Sequence, residues 1–159
     1  MDRYDWYRLF LSLHLIAVVF GFGPAVAQSL LGLRARRAPI PARLPLTELV
    51  RDLGQRVFAP GGALVLVTGL VTAFIGDSDL RPFWVKAGIV LWLVLTALGT
   101  TLLLTARRMV AIQQSFTGPP SEDDIGMLGA LGRRQGMLGG MTHLVLAITI
   151  VDMVWKPGS

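Results

Sequence analysis

The sequence predicts an all-α membrane protein in which four transmembrane helices form an up-and-down bundle. Two observations lead to this prediction. Apolar residues make up 53% of the chain and charged residues only 16%, against about 25% charged residues in soluble domains. The charges are also clustered, which leaves long apolar stretches near the ~20 residues that a helix needs to cross a bilayer. We place the four spans at about 9–33, 57–76, 83–106 and 135–155, within a single domain covering residues 1–159.

The first apolar stretch, Leu9 to Leu33, contains 25 residues and no Asp, Glu, Lys or Arg. At about 1.5 Å of rise per residue, a helix of this length exceeds the ~30 Å hydrocarbon thickness of a bilayer. It is also longer than the ~7–15 residues of a signal-peptide core, so we interpret it as a retained helix. Pro24, together with Gly21 and Gly23, predicts a kink within it.

A basic segment separates the first two spans. Prolines at positions 39, 41 and 45 are expected to keep its first part extended. Further along, apolar residues recur at helical spacing, with arginines on the opposite face: Leu46, Leu49, Val50, Leu53 and Val57. This pattern predicts a short cytoplasmic amphipathic helix on the membrane surface between helices 1 and 2. A solvated connector is the simpler alternative.

The later spans carry small residues on one face, which allows close helix approach in lipid. In the second span these are Gly62, Gly69, Ala73 and Gly76, and in the fourth they are Gly132, Gly136 and Gly140. We expect the glycine stripe of the fourth span to pack against protein rather than lipid.

The start of a helix is also marked before the fourth span. Ser121 followed three residues later by Asp124 resembles a capping box. Whether this helix continues into the fourth span is left open by the sequence.

The orientation follows from the distribution of arginines. Ten lie in the two long loops: Arg34, Arg36, Arg37, Arg43, Arg51, Arg56, Arg107, Arg108, Arg133 and Arg134. The positive-inside rule places these loops in the cytoplasm and both termini outside, for a multi-pass protein of a bacterial inner membrane. The formal net charge of +5 therefore indicates contact with anionic lipid rather than nucleic acid.

Several chemistries are absent from the sequence. The chain has no cysteine, which excludes disulfides, thiolate metal sites and thiol nucleophiles. It also lacks a nucleophile motif, a phosphate-binding loop and a metalloprotease helix.

Ionisable residues within the spans are the candidate site residues, because such groups are costly in a bilayer. His14 lies roughly 9 Å inside the outer boundary at 1.5 Å per residue, on a stripe with Gly21, Ala25 and Gln28. A neutral imidazole can bind a haem iron or another metal. The alternative is a histidine that hydrogen-bonds to a neighbouring helix.

Lys86 enters the third span at a similar depth, so it and His14 are candidates for one shared site. It would pair with a haem propionate or a substrate carboxylate. The alternative is a lysine whose ammonium group extends to the membrane interface.

His143 lies near mid-membrane, roughly 18 Å from the outer end, too deep to meet His14 directly. A flat ring such as haem would fit between the two histidines, in space that the nearby glycines leave, although packing explains the glycines equally well. Met137 and Met141 beside His143 suggest copper as a weaker alternative.

Three sequence motifs resemble a known group of proteins. They are Tyr7 to Val18 with its central histidine, Phe58-Ala59-Pro60 followed by Thr68-Gly69, and Trp84-Val85-Lys86. They resemble a family of small bacterial integral membrane proteins of unknown function, which is distantly similar to HemJ-type protoporphyrinogen oxidases and copper-resistance D-like membrane domains.

The resemblance implies a site. In HemJ-type proteins the first-helix histidine and the third-helix lysine are the functional pair, associated with haem b, and the matching positions here are His14 and Lys86. The chain departs from the oxidase pattern at Phe20 to Pro24, where the oxidases carry a tryptophan-containing segment. The resemblance therefore implies haem binding more strongly than oxidase activity.

Three functions follow as hypotheses. The first is a haem-associated membrane protein with His14 as axial ligand, Lys86 near a propionate, and His143 as second ligand or hydrogen-bond donor. As an enzyme it would be a haem-dependent membrane oxidoreductase. The second is a non-enzymatic accessory or assembly subunit, working as a homo-oligomer or within a larger membrane complex. The third is a small transporter or copper-handling protein, although the scarcity of acidic residues argues against a proton relay.

Overall fold

A computed structural model describes residues 2–76 and 82–157, except for the side chains of residues 40 and 41. The regular elements in these ranges are all helical, and we number the α-helices α1 to α5: Arg3–Arg37, Ile40–Leu53, Ala59–Ile75, Phe83–Gln114 and Glu122–Trp155. Four continuous helices are long and apolar enough to cross a membrane: Arg3–Arg37, Ala42–Ile75, Phe83–Gln114 and Glu122–Trp155. The predicted all-α membrane fold is confirmed.

Helix α1 is stabilised at both ends by polar side chains. The Asp5 amide donates to the Asp2 carboxylate at 2.8 Å, and the Asp2 amide donates to the Asp5 carboxylate at 3.2 Å. Three arginines in the last turn face the partial negative charge of the helix C-terminus. The helix continues through Pro24 as a single element.

The segment between the first two spans differs from the prediction. Helix α2 joins α3 through a π-helical stretch, Gly54–Phe58, whose flanking residues all keep right-handed helical dihedrals. Residues 40–75 therefore form one unbroken helix, rather than a surface helix followed by a separate span. The expected extended start was wrong, because the first two prolines occupy the cap and first turn, where a missing amide costs nothing.

The apolar face of α2 is covered by protein only in part, since Val50 is buried whereas Leu49 is 46% exposed. Thr47 and Val50 are only 3% and 5% exposed, and the Gln113 side chain in α4 donates to the Thr47 hydroxyl at 3.2 Å. The predicted amphipathic spacing is therefore present, and α1 and α4 pack against one side of this face.

Helix α5 begins after Ser121 and continues into the fourth span, which the sequence left open. The predicted capping box is present, with the Asp124 amide donating to the Ser121 hydroxyl at 3.2 Å. From there the helix runs without interruption to Trp155. Helices α4 and α5 therefore extend beyond the predicted spans at the arginine-rich end of the bundle.

The helices form a closed ring in chain order. Helix α1 packs closely on α3, and α4 packs closely on α5. The α1–α5 and α2–α4 contacts join these two pairs. In the described residues the backbones of α1 and α4, and of α3 and α5, stay apart across the ring, and only side chains meet at its centre. This is the predicted up-and-down arrangement.

A seam of glycines lets α1 approach the second span, and we call it the glycine seam. Residues seven apart on α1 each face one glycine: Tyr7 faces Gly76, His14 faces Gly69, Gly21 faces Gly61 and Gln28 faces Gly54. A Cβ atom on Gly69 would lie 2.9 Å from His14 Cε1, closer than real Cβ contacts. A Cβ atom on Gly21 would lie 3.0 Å from the Gly61 carbonyl carbon. Gly21 and Gly61 face each other through backbone, and Gly69 faces an imidazole held in place, so these three positions require glycine at this helix spacing.

An aromatic and aliphatic cluster crosses the centre of the bundle, and we call it the waist. It consists of Phe22, Phe58, Val65 and Leu95, and Leu95 is only 2% exposed. The Phe22 and Phe58 rings meet edge to face with centroids 5.6 Å apart. The waist separates two cavities, one on the side of the chain termini and one on the side of the arginine-rich loops.

Candidate functional site

The outer cavity lies on the terminal side of the waist and has a volume of about 190 Å³. Its walls come from α1, α3, the first half of α4 and the last turns of α5. Aromatic and polar side chains line it together: Tyr7, His14, Trp84, Trp92 and Lys156. A ligand in this cavity would contact His14, the first of the candidate site residues.

His14 is held by Thr68. The Thr68 hydroxyl lies 2.6 Å from the Leu64 carbonyl oxygen and donates its single proton there. It must therefore accept from His14 Nδ1, which lies 3.1 Å away. We assign the ring proton to Nδ1 on this hydrogen bonding, which leaves the lone pair on Nε2.

The ring of His14 is also fixed by packing. It is 7% exposed, and its Cε1 atom rests against the backbone of Gly69 in the glycine seam. The Thr68 hydrogen bond, the Val65 backbone and the close contact with Gly69 thus hold the imidazole at the cavity wall. This is how histidine ligands are commonly oriented, with one ring nitrogen bonded to protein and the other available.

The structure does not bring Lys86 together with His14. The Lys86 side chain is exposed and lines neither cavity, although its neighbours Trp84 and Val85 both line the outer one. Lys156, which the sequence analysis did not single out, lines the outer cavity. Its ammonium nitrogen lies 5.2 Å from the centroid of the Trp84 ring. It follows the last turn of α5 with a left-handed φ of 45°, and no sequence pattern indicates this position.

His143 lies in the inner cavity, on the opposite side of the waist from His14. Its Nε2 atom is buried and has no hydrogen-bond partner among the described residues. The two histidines therefore belong to separate cavities, and the structure does not place them on either side of one shared space.

Asp152 is a further buried polar group that the sequence analysis noted only in passing. It is 9% exposed, and its Oδ2 atom has no partner among the described residues. A Cβ atom on Gly88 of α4 would lie 3.8 Å from Oδ2. The carboxylate thus lies in the α4–α5 contact beside the outer cavity.

The described residues contain no group of three or more His, Cys, Asp or Glu side chains able to hold a metal ion. Met137 and Met141, which suggested copper beside His143, are 63% and 47% exposed. Neither methionine lines the cavity that contains His143.

The glycine stripe of α5 is in contact with protein only in part, since Gly132 is buried whereas Gly136 and Gly140 are exposed. Gly132 packs on the side chain of Arg36, and a Cβ atom on Gly139 would lie 3.4 Å from the Ser29 hydroxyl. Gly136 and Gly140 line the inner cavity.

Comparisons with known proteins give one match. The model of a family described as "Predicted integral membrane protein (DUF2269)" matches residues 8–157. Searches of curated proteins and of solved structures found no match.

The assigned tautomer gives a direct prediction for Thr68→Val. In the wild-type protein, ¹⁵N NMR of labelled histidine in micelles should show His14 protonated at Nδ1. The variant leaves the Nδ1 proton without its acceptor, so the Nε2-protonated form should increase. Unfolding stability should fall by about 1–3 kcal/mol, the usual cost of an unpaired buried donor.

Thr72→Val is the matched control for this variant, because the Thr72 hydroxyl donates only to the Thr68 carbonyl oxygen within α3 at 2.7 Å. His143 serves as an internal reference in each spectrum. Unchanged His14 resonances in Thr68→Val would show that Thr68 does not set the tautomer.

Proposed function

Because this chain belongs to the DUF2269 family of predicted integral membrane proteins, we propose that its function is exercised within the bilayer, by binding haem b in the outer cavity. His14 Nε2 is the proposed iron ligand. The observation that carries the proposal is the hydrogen bond from Nδ1 to Thr68 at 3.1 Å, which leaves Nε2 free for coordination.

The donor set favours haem over a bare metal ion. A bare ion needs several protein ligands, and the described residues contain no such cluster. Haem brings four nitrogen ligands of its own and can be held by a single histidine. One oriented imidazole beside an aromatic cavity therefore suits haem better.

The cavity walls suggest how the ring would be held. Trp84 and Trp92 offer flat apolar surfaces, and Lys156 would supply the positive charge for a propionate, rather than Lys86. The present volume of about 190 Å³ is below the ~300–1,000 Å³ typical of small-molecule sites. Binding would therefore require the bundle to open.

The contact between α3 and α4 is the natural place for that opening. Helix α3 packs far less closely on α4 than on α1. One hydrogen bond spans it near the cavity, from the Trp92 indole to the Gly62 carbonyl oxygen at 2.9 Å. Bound haem would supply one-electron redox chemistry, and the protein would supply the axial ligand, the apolar walls and the positive charge.

The haem proposal is tested by the absorption spectrum of the detergent-purified protein from haem-sufficient cells. The wild-type protein should show a Soret band, and His14→Ala should lose it. His143→Ala should keep the band, because His143 lies beyond the waist in the other cavity. A single symmetric elution peak for each variant shows that the fold is retained.

Two results would contradict the proposal. One is a colourless wild-type protein that also takes up no haem on reconstitution. The other is equal loss of the Soret band in both histidine variants.

The proposed orientation puts the outer cavity on the periplasmic side of a bacterial inner membrane. The loop arginines support it, because the up-and-down ring brings their segments to one end of the bundle. Both termini would then lie outside.

Cysteine labelling tests this orientation, because the chain has no cysteine of its own. A membrane-impermeant maleimide should label Tyr4→Cys in cells with a permeable outer membrane. It should label Thr117→Cys only after the inner membrane is opened, since both positions are exposed but lie at opposite ends. The reverse order would show that the arginine-rich loops are outside.

A further inference from the structure

The inner cavity is the larger of the two, with a volume of about 340 Å³. It lies between α1, α4, α5 and the π-helical junction, on the arginine-rich side of the waist. Much of its wall is apolar: Leu33, Val50, Phe58, Leu102, Leu103 and Ala106. Four glycines of α5 expose backbone along another wall: Gly132, Gly136, Gly139 and Gly140.

Arg36 lies at the end of this cavity nearest the basic loops. Its aliphatic stem packs on α5, since a Cβ atom on Gly132 would lie 3.3 Å from Arg36 Cδ. The guanidinium continues along the glycines, with Nη1 3.7 Å from a Cβ position on Gly136. Arg36 makes no ion pair with the described residues, and no described acidic residue lines the cavity.

The far end of the cavity carries an unused polar group. His143 Nε2 is buried without a hydrogen-bond partner in the described part of the chain. Buried polar atoms in native proteins are usually satisfied by protein, water or a ligand. Gln135 adds an amide along the same wall. From Gly136 to His143 the helix rises roughly 10 Å at 1.5 Å per residue.

We propose that the inner cavity binds one anionic amphiphile, with its acidic head on Arg36 and its apolar body along the α5 glycines towards His143. The cavity has a cation at its loop end, apolar walls along its length and a polar group at its far end. These features match an anionic amphiphile. The volume falls at the small end of the ~300–1,000 Å³ range for ligand sites, which favours a single chain. The acid can come from a free fatty acid or from an anionic phospholipid. This site is independent of haem binding in the outer cavity.

The test uses cis-parinaric acid, a fluorescent fatty acid, with the full-length protein in a non-ionic detergent. Binding should be saturable. Arg36→Gln should weaken it about tenfold or more, because a charge-assisted contact is lost. Arg37→Gln removes the same charge from the next residue, which is exposed as Arg36 is but does not line the cavity. It should bind within about twofold of wild type.

A second variant fills the cavity. Gly136→Leu places its Cβ atom at an ordinary contact distance of 3.7 Å from Arg36 Nη1, so the fold should tolerate it while binding is lost. Competition with oleate and with phosphatidylglycerol then distinguishes a fatty acid from an anionic phospholipid as the ligand. The competitor of the correct class should displace the probe at the lower concentration. The methyl ester of the probe should not bind.

The proposal is overturned if Arg36→Gln and Arg37→Gln weaken binding equally, since the effect would then be general surface charge. It is also overturned if Gly136→Leu, eluting as the wild-type protein does, binds the probe unchanged. Non-saturable uptake by the wild-type protein would likewise reject it.

Discussion

The close approach of α1 to the second span is the constraint on which the rest of the structure depends. In lipid, apolar side chains gain nothing from leaving the solvent, so helices associate through close packing and interhelical hydrogen bonds. The glycine seam provides the first, and the His14–Thr68 hydrogen bond provides the second. The same contact therefore holds two helices together and orients the one imidazole that lines the outer cavity.

The waist divides the interior of the bundle into two cavities, which can bind different ligands. Phe22 and Phe58 fill the centre, so the space inside the ring is split into two cavities with different chemistry. The outer one presents an imidazole and aromatic walls, and it is the cavity in which we propose haem binding. The inner one presents a guanidinium and glycine backbone, which suit an acidic amphiphile. The histidines serve these cavities separately, which the chain order alone does not show.

Much of this was accessible from the sequence, for identifiable reasons. Charge-free stretches located the four spans, Ser121 and Asp124 marked the start of α5, and the stripe through His14, Gly21 and Gln28 was seen as an inner face. What the sequence could not supply was the register between helices. Gly69 was placed on a small-residue face, but its position opposite His14 depends on how α1 and α3 slide and rotate against each other.

The unknown packing of the helices also explains why the direction of the Lys86 side chain was not predicted. Its depth in the membrane could be counted from the sequence, whereas the direction it faces depends on the rotation of α4, which packing on α5 determines. The unbroken helix through Gly54–Phe58 was missed because three prolines suggested extended chain, although two of them occupy positions that a helix start accepts.

A double-mutant cycle between His14 and Gly69 tests the central claim most directly, with unfolding followed in mixed micelles. The account predicts that Gly69→Ala lowers stability by about 1–3 kcal/mol in the wild-type background, as overpacking does. In the His14→Ala background, the same change should cost much less, because the imidazole that the new methyl group would meet is gone. Gly62→Ala, where a Cβ atom would meet nothing within 4 Å, should cost little in either background. Equal costs of Gly69→Ala in the two backgrounds would contradict the account.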